Sequence, residues 1–277
     1  MQVKYRMSIK DGIKKIAPEP MWNAARNSWD AIKRSGESLP ARFHPWRRDS
    51  IQKLKALKDI HRGERCVIIG NGPSLNQTDV SKIKDEYTFG LNRVYPVFED
   101  WGFETSFLLS VNDLVVEQCA EDLMHLSMPR FFAWRSRKWL QPQENLHFLY
   151  TTYTGPKFAK NVSGRIWEGA TVTYCALQLA YHMGFQTVVL IGVDHSFTSK
   201  GKANQTVVSQ GDDPNHFNPK YFGKGFRWQL PDLDTSEVSY RMAKQAFEAD
   251  GRQILDATIG GKLQVFPKVD FDSYFEK

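Results

Sequence analysis

The chain has 277 residues, 37 Lys and Arg against 31 Asp and Glu, a formal net charge of +6 and 41% hydrophobic residues. This suits one large globular body with an appendage, and it excludes an integral membrane protein, because no stretch approaches the ~18 uncharged apolar residues of a spanning helix. Three dispersed cysteines, Cys66, Cys119 and Cys175, with no C-x-x-C pair, argue against a disulfide framework or a cysteine zinc site and fit a reducing cytoplasm.

The charge is uneven. Residues 1–60 carry 14 Lys and Arg against 6 Asp and Glu, a net of +8, so the other 217 residues sum to −2. This first segment has no strand-like run and, lacking an apolar core and a cleavage site, is no secretory signal. Met7–Ile16 and Met21–Ile32 have amphipathic helical spacing on either side of the Pro18-Glu19-Pro20 break, and Ile51–Ile60 reads as another helix. The segment is therefore expected to be a basic helical arm, residues 1–60, before a catalytic body at 61–277. It either packs on that body or contacts an anionic membrane surface or glycan at the inner face of the membrane. No recognition motif for nucleic acid accompanies the charge.

From residue 64 short apolar runs alternate with helical patterns. Strands are expected at 65–70, 87–91, 105–111, 130–134, 146–151 and 187–192, with a further one at 254–257. Helices are expected at 80–84, 114–126, 170–183 and 236–249. Alternation of this kind predicts an α/β fold, a Rossmann-like, mostly parallel sheet flanked by helices. The polar stretch 196–234 has weak periodicity and reads as a lid-like loop.

The first strand runs into Gly70-Asn71-Gly72-Pro73-Ser74-Leu75, a glycine turn before a helix that lets backbone amides approach a phosphate. The third glycine of a dinucleotide fingerprint is absent, and so is any P-loop, which leaves a nucleotide site of another kind or a tight turn. Further strand ends carry Asn92, Ser110 with Asn112, and Asp194 with His195, and ligands in open α/β sheets bind beyond such ends. Helix capping is the competing role for Asn92 and Asn112. Glu168-Gly169-Ala170-Thr171 places small residues at a helix start, suited either to an anion or to simple initiation.

The segments CVIIGNGPSL, GLNRVY, LSVND, EGATVTYCALQLAYHMGF and VVLIGVD resemble, in this order, those of bacterial sialyltransferases that use CMP-activated sialic acid. They are also similar to a broader superfamily holding the archaeal 6-hydroxymethylpterin diphosphokinase and flagellin-modifying glycosyltransferases. The resemblance spans roughly residues 64–260. It implies that Gly70, Asn71, Gly72 and Ser74 hold the nucleotide, joined by Asn92 and Asn112 near the phosphate and by Gly169, Ala170 and Thr171 at the helix start; Pro73 in the turn and Ser110 at the strand end complete the expected binding set. Asp194 matches the acid closing the sixth expected strand. Two departures stand out. Ser196 replaces a tyrosine two residues after that acid, and Asp213-Pro214-Asn215-His216-Phe217 keeps one of two histidines, with Lys220 and Tyr221 following in reach of either lost role.

The leading expectation is a metal-independent glycosyltransferase that moves an acidic sugar from a CMP donor to a glycan or lipid-linked hydroxyl. His216 is the first choice of base and His195 the second, with Asp194 completing the catalytic set. No cofactor beyond the nucleotide sugar is implied. The alternative is a Mg²⁺-dependent diphosphokinase acting on a pterin-like alcohol, with Asp113 and Asp194 available to the metal. Asp232-Leu233-Asp234 looks like a DxD metal motif, but its place before a helix favours capping. A third class is a non-catalytic nucleotide-binding module. The dense polar loop argues against it: Phe226 and Trp228 are suited to stacking on a sugar and Arg227 to holding an acidic group.

Overall fold

The computed structural model describes residues 28, 32, 36–152, 155, 157–199, 201–219 and 221–276. The helices expected at Met7–Ile16 and Met21–Ile32, apart from positions 28 and 32, lie outside the described residues, as does Lys220. The strands are β1 (Arg65–Ile69), β2 (Tyr87–Leu91), β3 (Phe107–Ser110), β4 (Arg130–Ala133), β5 (Leu146–Thr152), β6 (Arg165–Trp167), β7 (Thr187–Ile191), β8 (Thr206–Val208), β9 (Arg227–Gln229) and β10 (Gln253–Asp256). The longer helices are α1 (Pro45–Ala56), α2 (Asp113–His125), α3 (Val172–Met183) and α4 (Leu233–Ala249).

Eight strands form one sheet in the order β10-β7-β1-β2-β3-β4-β5-β6, and every pairing within it is parallel. A parallel sheet covered on both faces needs strands that are apolar throughout, with alternate residues serving opposite layers. In β1, Cys66 and Ile68 join α3 and α4 in one core, while Val67 and Ile69 join α2 and the C-terminal aromatics Phe271 and Phe275 in the other. From β1 the chain winds outward through β2 to β6, then returns to lay β7 and β10 on the opposite side. This reversal between β1 and β7 is where an open α/β sheet leaves a crevice at its carboxyl ends.

Helix α1 begins earlier than its apolar spacing suggests. Pro45 occupies the first turn, where its missing N–H costs nothing, and the His44 Nδ1 accepts from the Trp46 amide at 3.2 Å. Its inner face is bound into the body: Leu54 is fully buried, and Ser50 Oγ accepts from the Phe148 amide at 2.9 Å. Arg47 donates to the carbonyls of Ser163 and Gly164, and burial pulls its pKa down to about 10. Helix α3 is buried at every position from Thr173 to Met183, because it lies between the sheet and α4. The expected lid is not structureless. Strands β8 and β9 form an antiparallel ribbon, which the Gln118 side chain fastens to α2 through both the amide and the carbonyl of Arg227.

Candidate active site

A cleft of about 490 Å³ opens at the carboxyl ends of β1 and β7. Its wall on the β1 side is the glycine turn. Gly70 donates to the Ile191 carbonyl at 2.8 Å and Gly72 to the Gly192 carbonyl at 2.9 Å, so the two strand ends touch backbone to backbone. A methyl group on Gly70 would stand 2.3 Å from the Gly192 oxygen, and one on Gly72 1.8 Å from Asp194 Oδ2. The glycines are thus required by packing against β7 as well as by any ligand.

Asp194 borders the cleft, but both carboxylate oxygens are occupied. Oδ1 accepts from the Ser74 amide at 3.1 Å and Oδ2 from the Ser74 hydroxyl at 2.7 Å. Asp194 therefore clasps the turn after β1 to the end of β7. Asn71 donates to the Leu91 carbonyl at 2.9 Å, and its own oxygen is buried without a partner. Asn92 takes a left-handed backbone, and its side-chain oxygen accepts from Ser110 Oγ at 2.9 Å. Asn112 caps α2, accepting from the amides of Leu114 and Val115.

On the opposite wall, Gly169 and Ala170 both have positive φ before Thr171 caps α3. Ala170, Thr171, Val172 and Thr173 line the cleft at this helix start, where the dipole favours an anion. Gly169 faces away, against Ser239, which donates to its carbonyl at 2.7 Å. Of the five non-glycine residues with positive φ among the described residues, four border the cleft: Asn92, Ala170, His195 and Asn204. Backbone in this region is costly for L-residues and collects at functional sites.

The floor is a charge cluster centred on Arg135, a residue that the strand-end reading missed. Arg135, just beyond β4, donates to Asp113 Oδ1 at 2.5 Å, to the Thr151 hydroxyl at 2.7 Å, to the Val111 carbonyl and to the Glu168 carboxylate. Asp113 and Glu168 both face the cleft. Burial raises the Asp113 pKa, against the pull of the Arg135 charge.

The segment 196–234 supplies the histidine. His216 Nδ1 lies 2.7 Å from Asp213 Oδ2, and the Asp213 carboxylate is almost fully buried, with its other oxygen accepting from the Asn215 amide at 2.9 Å. An ionised carboxylate only accepts, so it fixes the proton on Nδ1 and leaves Nε2 as the lone-pair nitrogen. The imidazole borders the cleft and stacks on Tyr221 with ring centres 4.2 Å apart. The lid is tied down at this point: the Phe217 amide donates to the Asn71 carbonyl at 2.9 Å, and Asn76 donates to the Phe217 carbonyl at 2.8 Å. His195 Nε2 lies 3.4 Å from Glu237, inside the same cleft.

The structure thus brings Gly70, Asn71, Gly72, Asn92, Asn112, Ala170, Thr171, Asp194, His195 and His216 to one cleft. It places Pro73, Ser74, Ser110, Gly169 and Tyr221 behind the wall. Tyr221 is buried beneath His216, and its hydroxyl accepts from the Arg93 amide at 3.1 Å. Phe226, Arg227 and Trp228 also miss the cleft, correcting the expectation that they touch a sugar: Phe226 and Trp228 stack on Phe222, and Arg227 pairs with Glu117. Asp232 caps α4, accepting from the Thr235 amide at 3.0 Å, so the DxD resemblance is a capping signal. The Asp213–His216 partnership was visible as an i,i+3 pair, and Arg135 as the polar residue beyond a fourth strand end. Glu237 and Tyr240, which come from one turn of α4, had no such mark.

Among the described residues, no group of three or more His, Cys, Asp and Glu is placed to hold a metal ion. A family model described as 6-hydroxymethylpterin diphosphokinase MptE-like matches residues 44–200. Among solved structures, a mammalian sialyltransferase in complex with Gal-beta-1-3GalNAc-ortho-nitrophenol is 10% identical, with 86% of each chain covered and a TM-score of 0.39. No curated protein matches the chain.

Proposed function

The chain belongs to the 6-hydroxymethylpterin diphosphokinase MptE-like family, and from that premise we propose that it is a transferase moving an acidic sugar from a CMP donor to a glycan or lipid-linked hydroxyl. The observation that carries this reading is the Asp213–His216 pair, 2.7 Å apart, with its imidazole on the cleft. A hydroxyl attacking an anomeric carbon must lose its proton as the bond forms. Nε2 of His216 takes that proton, and the buried Asp213 carboxylate stabilises the imidazolium that results. The departing nucleotide phosphate gathers negative charge, which the start of α3 at Ala170–Thr173 faces with its positive end. The glycine turn after β1 lets the nucleotide approach the backbone closely, and the unpaired Asn71 oxygen offers an acceptor to a base amine or ribose hydroxyl.

Diphosphoryl transfer to a pterin-like alcohol is the second reading, favoured by the family's description. It uses the same base on a different electrophile. Its Mg²⁺ fits the donor set poorly. The carboxylates at the cleft are engaged, Asp113 and Glu168 by Arg135 and Asp194 by Ser74, so no step is assigned to a protein-held ion.

Donor consumption by wild type and by His216→Ala tests the proposal. Loss of the base should lower kcat by roughly 10²–10⁴-fold. Turnover within a few-fold of wild type would remove His216 from the chemistry. Full activity of the wild type in EDTA favours sugar transfer, and strict dependence on Mg²⁺ with ATP as donor favours the diphosphokinase.

A further inference from the structure

Ahead of α1 the chain is helical over residues 36–43 and at positions 28 and 32. Ile32, Leu39 and Phe43 are the three most exposed large apolar side chains among the described residues, at 65%, 65% and 63%. Leu39 and Phe43 stand four residues apart within helix 36–43 and so share one of its faces. The helix is held to the body by its other side: Ala41 is 5% exposed, and Glu37 pairs with Arg137 at 2.8 Å. Arg42 is exposed beside the apolar row, its guanidinium 5.6 Å from the Phe43 ring centre.

So few exposed apolar side chains fall well short of the roughly 800 Å² per partner that a stable dimer covers. It does suit shallow insertion into a lipid interface, where an apolar face is combined with basic charge. The charge is present: residues 1–60 carry a net +8 and the remaining 217 a net −2. The location also bears on function. Glu37 lines a small cavity together with Trp134, Arg135, Tyr150 and Thr151, and Arg135 continues through to Asp113 and Glu168 on the cleft floor. The helix that carries the apolar residues and the cleft therefore lie at the same, carboxyl end of the sheet.

We infer that helix 36–43, through the exposed Leu39 and Phe43 with Arg42 beside them, docks the protein on an anionic bilayer. Docking brings the cleft to the membrane surface, where a lipid-linked acceptor lies, and it does not depend on which donor the cleft takes. Co-sedimentation of the full chain with vesicles tests this, using phosphatidylcholine alone and phosphatidylcholine with phosphatidylglycerol. Wild type should pellet with the anionic vesicles, far less with the neutral ones, and progressively less as salt is raised. The double variant Leu39→Ser, Phe43→Ser should lower partitioning about tenfold or more. Arg42→Glu should weaken it without moving the melting temperature, and both variants should keep wild-type donor consumption on a soluble acceptor. The proposal is overturned if wild type fails to pellet, or if neutral vesicles serve as well as anionic ones. It is equally overturned if the double variant binds like wild type, or if that variant abolishes a self-associated species while vesicle binding persists.

Discussion

Gly72 shows how tightly the cleft wall is built. A Cβ there would overlap the Asp194 carboxylate that clasps Ser74, and nearby backbone leaves it nowhere to go, since the Gly192 oxygen is only 2.8 Å off. Gly72→Ala should cost about 1–3 kcal/mol of stability and reduce nucleotide affinity at least about tenfold, read by denaturant titration and by calorimetry. Asp213 acts through its neighbour. In Asp213→Asn the imidazole keeps a hydrogen-bond acceptor but loses the charge that supports its protonated form. We expect kcat to fall by about a hundredfold while KM for the donor holds, a split that a merely structural residue would not produce. At this scale the sequence was informative about which residues gather and less so about their work. Asn112 spends its oxygen on the α2 cap, and Asp194 spends both of its own on Ser74. The cap and the clasp appear only once the chain is folded, because each partner comes from the local turn or from a distant strand end.

The elements differ in how plainly their residues announce them. Strands β1 to β5 and β7 lie within a residue or two of their apolar runs, because a strand buried on both faces must be apolar throughout. Strands β6, β8 and β9 have three residues each, too few for any period to show, and the burial of β8 and β9 is set by the lid's own aromatic cluster around Phe222. Helix α3 is buried from Thr173 to Met183 on every side, Gln178 included, whose amide donates to the Trp167 carbonyl at 2.8 Å, so no apolar face alone describes it. Helix α4 begins at the Asp232 cap, which also accepts from the Thr235 hydroxyl at 2.9 Å. Asp232→Ala removes both bonds at the junction of lid and helix. It should cost about 1 kcal/mol and lower Tm by roughly 2–4 °C, measured by thermal melting.

Across the whole molecule, the charge is unevenly distributed. The basic excess lies in the first 60 residues, and the body that holds the cleft is close to neutral. The body also carries an acid-sensitive point away from the cleft. His147 in β5 stacks on Phe131, its Nδ1 is buried without a partner, and burial, assisted by Lys53 and Arg130, pushes its pKa down from 6.5 to about 4. The unfolded chain therefore takes up this proton first as pH falls. The stability present above about pH 6.5 is lost on the way to about pH 4, by no more than roughly 3–4 kcal/mol. His147→Phe keeps the ring stack and removes the titration, so its melting temperature should fall less than that of wild type between pH 7 and pH 5.

The resemblance carried by GNGPSL and its companion segments is met by the family match over residues 44–200, and the reversal between β1 and β7 puts the cleft where those segments converge. The central claim, that this cleft takes a cytidine nucleotide and works by acid–base chemistry, is tested most directly by thermal shift with CMP, CDP, UDP, GDP and ATP, each with Mg²⁺ and with EDTA. A ligand at about 100 Kd stabilises the folded state by roughly 2.7 kcal/mol. The account predicts such a shift for CMP in EDTA, lost in Gly72→Ala. A shift confined to ATP with Mg²⁺, or no shift with any nucleotide, would contradict it.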